Sequence, residues 1–246
     1  MVETSGAMLF GYCALPCWSG DITQRARREQ FAAARRFANA LAVPHLLAIP
    51  GNHDIPLYNM AARLFRPYHN YMQSFGEVLE PEFNSEELLI IGVKTTRRWR
   101  HKHGQVSHEQ IDRVAQRLQR AQLRQLRVVM THQPVHVLTE REINNRLRGA
   151  DAAITAWAEA GADLVLGGHI HLPYCRKLDI AARPLWIVQA GTALSSRVRS
   201  GIPNSVNLIR YEPAVTLLQC NIERWDFDAA GQCFSLNERT QAMLER

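Results

Sequence analysis

The sequence DLVLGGHIH, residues 163–171, joins a short apolar run to two glycines and two histidines. Asp163 to Leu166 is predicted to form a strand buried on both faces, because its apolar residues are continuous rather than alternating. The two glycines then allow a tight turn at the end of that strand. On an extended or turning backbone His169 and His171 point to opposite sides, which suits two metal ions better than one.

The same order of strand and polar turn recurs upstream. A strand predicted at His45 to Ile49 leads into Gly51-Asn52-His53-Asp54, and another at Leu126 to Met130 leads into Thr131-His132-Gln133-Pro134. Ser19-Gly20-Asp21 adds a further small-residue turn. Sites in open α/β sheets form outside the carboxyl ends of the strands. We therefore expect these turns to converge on one site.

The residue types in these turns favour transition-metal chemistry. Imidazole, carboxylate and amide groups together suit Mn, Fe, Zn or Ni. The predicted metal ligands are Asp21, Asn52, His132, His169 and His171. Each of these turns, taken alone, is also a common structural feature, so the prediction depends on their combination.

His53 and Asp54 are the predicted catalytic residues. If Asn52 offers its oxygen to a metal, His53 is free to face a substrate as an acid. Asp54 could then orient His53 and raise its pKa. The alternative is a turn in which Asn52 and Asp54 hydrogen-bond only to the local backbone.

Composition indicates an ordinary globular protein with a basic surface. The chain has 246 residues and a net charge of +6, and hydrophobic residues make up 46%. The basic loop Arg97 to His103 could bind phosphate through arginine, or could simply be solvated. Five scattered cysteines favour a reduced, cytoplasmic protein. No apolar run is long enough to span a membrane, and Met8 to Trp18 is a poor match to a signal peptide.

Periodicity predicts alternating helices and strands, with further strands from Pro184 onward. We expect an atypical segment over residues 1–18 and a single domain over residues 19–246. The predicted helices are Thr23 to Leu41, a helix capped by Ser107 with Gln110, and Ala150 to Ala160 closed by Gly161. Further predicted strands are Leu88 to Val93, Leu185 to Ala190, Val206 to Tyr211 and Val215 to Trp225, and a hairpin is predicted around 228–231.

The combined motifs resemble the signature of the calcineurin-type metallophosphoesterases, a family that includes class III cyclic-nucleotide phosphodiesterases. The family pattern runs D-x-H, G-D, G-N-H-D/E, H and G-H-x-H. Four of these five blocks occur here in that order, and the resemblance covers residues 19 to about 211. It implies an α/β fold in which a sandwich of two mixed β-sheets is flanked by α-helices.

The resemblance also implies roles for individual residues. Asp21 would bridge two metal ions, and His171 would belong to the first metal site. The second metal site would be completed by Asn52, His132 and His169. His53 would protonate the leaving-group oxygen or stabilise charge on the phosphoryl group.

The chain departs from the family pattern at its first block. Nineteen residues precede Gly20 and none is Asp or His, so the N-terminal strand region is expected to be truncated or altered. A truncated start, a shifted reading frame or genuine loss would each produce this pattern. The first metal site then retains only Asp21 and His171. Two divalent metal ions are typical of the family, but we expect one tightly bound ion here.

Three functions remain open at this level. The first is a metal-dependent phosphoesterase that hydrolyses small-molecule phosphodiesters with a metal-activated water. The second is a catalytically impaired remnant or a nucleotide- or metal-binding module. The third, a nucleic-acid-binding protein, is suggested only by the arginine content, because no recognised nucleic-acid motif is present. The identity of the substrate and the oligomeric state are not determined by the sequence.

Overall fold

The computed structural model describes residues 7–10, 15–180, 183–211 and 218–245. The helices are α1 (Arg28–Ala40), α2 (Met60–Phe65), α3 (His69–Phe75), α4 (His108–Gln119) and α5 (Ala150–Glu159). The first strands are β1 (Ala7–Phe10), β2 (Cys17–Trp18), β3 (Leu47–Ala48), β4 (Glu82–Asn84), β5 (Leu88–Gly92) and β6 (Leu126–Met130). The later strands are β7 (Leu164–Gly167), β8 (Tyr174–Ile180), β9 (Arg183–Gln189), β10 (Ser205–Tyr211), β11 (Gln219–Asp228) and β12 (Cys233–Met243).

The described strands form two six-stranded sheets. The first has the order β12-β11-β10-β1-β2-β3, and the second has the order β4-β5-β6-β7-β9-β8. Parallel pairing connects β5, β6, β7 and β9 in the second sheet, and antiparallel strands lie at both of its edges. In the first sheet β10 pairs in parallel with β1 and antiparallel with β11, so both sheets are mixed, as predicted.

The two sheets pack face to face across one apolar layer, and helices cover their outer faces. Buried residues of both sheets form this central layer, among them Leu47, Ile209, Ile222, Ile90, Val128 and Leu166. On the outer face of the second sheet, Val114 and Leu118 of α4 and Trp157 of α5 belong to another buried cluster. Phe31 of α1 and Tyr71 of α3 belong to a third cluster, on the outer face of the first sheet. The predicted sandwich flanked by helices is confirmed.

Local sequence signals explain the helix ends that were predicted. The Ser107 hydroxyl accepts a hydrogen bond from the Gln110 amide at 3.2 Å, and the Gln110 side chain accepts from the Ser107 amide at 3.1 Å. This reciprocal pair satisfies donors at the start of α4 that have no partner within the helix. At the end of α5, Gly161 adopts a φ of 98°, a left-handed conformation that glycine adopts without steric cost.

The helix predicted from Thr23 begins later, at Arg28. The Thr23 amide donates to the Asp54 carboxylate at 2.8 Å, and the Thr23 hydroxyl accepts from the Ala26 amide at 3.1 Å. These bonds hold the segment in a turn that competes with helical hydrogen bonding. The long-range contact with Asp54 is not readable from the local pattern, which explains the error.

The N-terminal segment and the C-terminal strands also differ from expectation. β1 pairs in parallel with β10 and antiparallel with β2, so residues 7–10 supply a strand inside the first sheet. The sequence did not predict β8 or β1, and it gave no bounds for β12, the second strand of the predicted hairpin. The strand predicted from Val215 begins at Gln219 among the described residues, and residues 212–217 lie outside them. The predicted hairpin is confirmed by the pairing of Asp228 with Cys233.

The sequence predicted no segment long and apolar enough to span a membrane. Among residues 7–10, 15–180, 183–211 and 218–245, no helix has both the length and the apolarity that a membrane span requires.

Candidate metal centre

Four of the five predicted metal ligands lie together where strands of both sheets end. Asp21 follows β2, Asn52 follows β3, His132 follows β6 and His169 follows β7. Ligand atoms of Asp21, His132 and His169 all lie within 4.8 Å of one another. The Asn52 Oδ1 atom lies 3.0 Å from His132 Nε2. The convergence predicted from the strand–turn pattern is therefore observed for these four residues.

The orientation of His132 leaves one ring nitrogen facing the cluster. His132 is fully buried, and its Nδ1 donates to the Ser19 carbonyl at 2.7 Å. Its Nε2 therefore faces two oxygens, Oδ1 of Asn52 at 3.0 Å and Oδ1 of Asp21 at 3.3 Å. A neutral ring with its proton on Nδ1 would direct a lone pair at both oxygens. Either a second proton or a bound cation is needed at this point.

His169 has no hydrogen-bonding role within the described part of the chain. Both of its ring nitrogens are buried and lack a partner there. Burial and the nearby positive charge of His132 lower the pKa of His169 to about 3, so the ring is neutral at physiological pH. Two buried, unpartnered nitrogens are costly in a folded protein unless a ligand engages one of them. A neutral imidazole is the form that binds transition metals.

Asp21 supplies the negative charge of the cluster. Burial alone would raise the pKa of Asp21, but the charge and hydrogen bond of His132 outweigh it and hold that pKa well below its usual value. The carboxylate is therefore ionised, and its Oδ1 also accepts from the His53 amide at 2.9 Å. One carboxylate, one amide oxygen and two imidazoles form a donor set that fits a divalent transition metal.

Asp54 has a different contact pattern from the one predicted. Its carboxylate accepts hydrogen bonds from the amides of Ile22, Thr23 and Gly51 at 3.1, 2.8 and 2.8 Å. The Thr23 hydroxyl donates to it as well, at 2.9 Å. Burial and the neighbouring charge of Asp21 raise the pKa of Asp54 to about 6. Asp54 therefore connects the two loops that carry Asp21 and Asn52.

His53 is oriented by the backbone rather than by Asp54. Its Nδ1 atom lies 3.0 Å from the Gln24 carbonyl oxygen, which requires a proton on Nδ1. The ring is half-buried, and its other nitrogen is left for a substrate. The prediction that Asp54 orients this ring is wrong, because every described hydrogen bond of the Asp54 carboxylate comes from Ile22, Thr23 or Gly51. The identity of residue 24 gives no signal for this contact with His53, because every residue has a backbone carbonyl.

His171 lies outside the cluster that the other ligands form. Among the described residues, one group of His, Cys, Asp or Glu side chains has all its ligand atoms within 4.8 Å of one another. It consists of Asp21, His132 and His169. The Nδ1 atom of His171 instead lies 3.3 Å from the Arg197 carbonyl oxygen. His171 is therefore not within mutual ligand reach of Asp21, His132 and His169, although it lines the same cleft as His169.

Two features of the backbone indicate that the loops of this site are strained and packed closely against one another. Asp21, His169 and His171 have positive φ values of 50°, 73° and 54°, which cost about 1 kcal/mol or more each for such residues. A Cβ atom at Gly51 would lie 2.1 Å from the Asp21 amide nitrogen. Strained residues of this kind cluster at functional sites, because the surrounding structure must hold them in place.

A cleft of about 390 Å³ adjoins the metal cluster on the side of His169. The residues that line it are Lys102, Glu142, Asn145, His169, Ile170, His171, Arg197, Val198 and Arg199. Lys102 belongs to the basic loop that the sequence indicated. Glu142 and the arginines after position 196 were not predicted, because no local motif links them to the histidine turns.

The motifs of this site also appear in a sequence comparison with known protein families. The sequence profile described as calcineurin-like phosphoesterase matches residues 16–173, a range that contains all four recognised motifs. No curated protein matches this chain in sequence. Among solved structures, a crystal structure of Vps29 from Chaetomium thermophilum is similar over 100% of both chains, at 9% sequence identity and a TM-score of 0.44.

Proposed function

This chain belongs to the calcineurin-like phosphoesterase family, and from that premise we propose that it hydrolyses phosphodiesters with one tightly bound divalent metal ion. The metal would be held by Asp21, Asn52, His132 and His169. Mn, Fe, Zn and Ni are the ions that this donor set suits.

The observation that supports a metal most strongly is the pair of unpartnered nitrogens on His169. A purely structural histidine at a buried position normally has a hydrogen bond, because burying a polar atom without one is costly. Here the ring lies with its centroid 5.1 Å from that of His132, next to the ionised Asp21. A divalent cation would satisfy His169 and relieve the contact of His132 Nε2 with two oxygens.

A bound cation would supply Lewis-acid polarisation of a phosphoryl oxygen. The protein residues provide the remaining chemistry. Because Nδ1 of His53 is committed to the Gln24 carbonyl, Nε2 is the atom that can transfer a proton to the leaving-group oxygen. The His53 backbone amide also holds Asp21 Oδ1, so the acid and the metal ligand share one rigid turn.

We further propose that a second metal ion binds weakly. Among the described residues, His171 is not part of the ligand cluster formed by Asp21, His132 and His169. A site left with few protein ligands would depend on water for its coordination and would bind a metal poorly.

The proposal is tested with bis(p-nitrophenyl) phosphate and Mn²⁺. We expect about one metal per chain by elemental analysis, and release of p-nitrophenolate by the wild-type protein. His169→Ala should lose both the metal and the activity. His53→Ala should keep the metal and lose a factor of about 100 or more in kcat, the usual contribution of a general acid.

The exposed His108 at the start of α4 offers a matched control, since no described hydrogen bond involves its side chain. His108→Ala should behave as wild type in both measurements. Two tightly held metals per chain would contradict the one-metal proposal. Full activity in His53→Ala would contradict the role given to that residue.

One observation favours a second candidate function, that of a module that binds a metal or a nucleotide without turnover. It is the separation of His171 from the other four ligands, which leaves a single ligand cluster in the described part of the chain. Stoichiometric metal binding with no hydrolysis of several phosphodiesters would select this alternative.

A further inference from the structure

The cleft beside His169 contains more positive charge than a single phosphodiester requires. Three cationic side chains line it, from Lys102, Arg197 and Arg199, together with the carboxylate of Glu142. A phosphodiester has one negative charge, and the proposed metal ion would already contact it. The additional cations therefore need a separate explanation.

The single carboxylate in the cleft is already neutralised. Glu142 is buried and forms an ion pair with Arg199, with 2.9 Å between Nη2 and Oε1. The Asn145 side-chain amide donates to the same carboxylate at 2.5 Å. Arg199 also donates to the Ile170 carbonyl at 3.3 Å, between the two histidines of the 169–171 turn. This ion pair is therefore a structural element of the cleft wall.

Lys102 and Arg197 remain uncommitted. Neither side chain has an ion-pair partner within the residues that the structure describes. Their backbones are nonetheless tied to the site. The Lys102 carbonyl accepts from the Gln133 side chain at 3.3 Å, next to His132, and the Arg197 carbonyl lies 3.3 Å from His171 Nδ1.

We propose that Lys102 and Arg197 bind a second anionic group of the substrate. This inference rests on the proposed function and names its substrate class: a phosphoester with a further phosphate, such as a diphosphate ester. The reacting phosphate would lie at the metal cluster, and the second phosphate would occupy the cleft beyond His169. Arginine binds phosphate through a planar pair of donors and lysine binds it as a point charge, so the two residues are suited to one phosphate group.

The binding test uses inorganic pyrophosphate and orthophosphate as probes, with protein treated with EDTA so that metal chelation does not contribute. Isothermal titration should show tighter binding of pyrophosphate than of orthophosphate. Lys102→Ala and Arg197→Ala should each weaken pyrophosphate binding about tenfold, as expected for loss of a charge-assisted hydrogen bond at an accessible site. Thermal melts of each variant check that the fold is retained.

Lys177→Ala and Arg36→Ala provide matched controls, because Lys177 pairs with Asp179 on β8 and Arg36 is exposed on α1. Both should bind pyrophosphate as wild type does. The proposal is overturned if pyrophosphate does not bind, if it binds no better than orthophosphate, or if the two cleft variants match the controls.

Activity separates this inference from the proposed function. If the enzyme is active, the two cleft variants should raise KM for an aryl diphosphate ester about tenfold more than they raise KM for bis(p-nitrophenyl) phosphate, and Lys177→Ala and Arg36→Ala should change neither. Pyrophosphate binding through Lys102 and Arg197 without hydrolysis of any substrate would support the subsite and refute the hydrolase. Hydrolysis that is equally impaired for both substrates would refute the subsite.

Discussion

Replacing Asp54 with asparagine tests whether this carboxylate holds the two metal-binding loops together. In the folded protein Oδ1 accepts from the amide and hydroxyl of Thr23, and Oδ2 accepts from the amides of Ile22 and Gly51. Asparagine has nearly the same shape but presents an NH₂ group in place of one oxygen. In the better orientation the NH₂ replaces Oδ1, where the Thr23 hydroxyl can accept from it and donate to the His53 carbonyl instead, but the Thr23 amide loses its acceptor and meets another donor.

The expected cost follows from that lost hydrogen bond. A buried donor left without an acceptor costs about 1–3 kcal/mol, so Asp54→Asn should lower the free energy of unfolding by about 1–3 kcal/mol. At a urea m-value of about 3 kcal/mol/M, the unfolding midpoint should fall by about 0.3–1 M with m unchanged. Metal affinity should fall as well, because Asp21 and Asn52 lie on the loops that Asp54 joins.

Urea unfolding followed by circular dichroism measures this change. Asp112→Asn on the exposed face of α4 provides the control and should stay within about 0.5 kcal/mol of wild type, as usual for a surface substitution. If Asp54→Asn is as stable as this control, the carboxylate does not join the loops as described. A stability loss without any change in metal affinity would show that the loops keep their positions independently of it.

Three further predictions concern the same fold. Gly51→Ala should weaken Mn²⁺ binding in a titration, since its Cβ would lie 2.1 Å from the Asp21 amide nitrogen; unchanged affinity would show that the turn adapts without cost. Burial alone would lower the pKa of His132, but the Asp21 carboxylate raises it, so a proton must leave this ring when a metal binds. Apparent affinity should therefore rise about tenfold per pH unit below that pKa and level off above it, with about one proton released in calorimetry across buffers. Burial raises the pKa of the Cys17 thiol far above its usual range, so alkylation mapped by mass spectrometry at pH 8 should modify the exposed Cys233 and spare Cys17 until urea unfolds the protein.

Local patterns explain which parts of the fold the sequence could predict. The continuous apolar runs at β5, β6 and β7 predicted strands because both faces of the second sheet are covered, one by the other sheet and one by helices. The capping pair of Ser107 with Gln110 and the glycine at 161 marked helix ends through contacts within a few residues. The hairpin turn was predicted, but the extent of β12 was not, because most of its residues are exposed and burial leaves no apolar pattern in it.

The sequence by itself determined the family, the alternation of strands and helices, and four ligands that the structure brings together. It could do so because parallel strands place the turns at their carboxyl ends on one side of a sheet. Only the tertiary structure decided that His171 lies apart, that Gln24 rather than Asp54 orients His53, and that Arg197 reaches the cleft beside His169. These contacts join positions that are far apart in the chain, often through backbone carbonyls. Every residue has such a carbonyl, so residue type carries no signal for them.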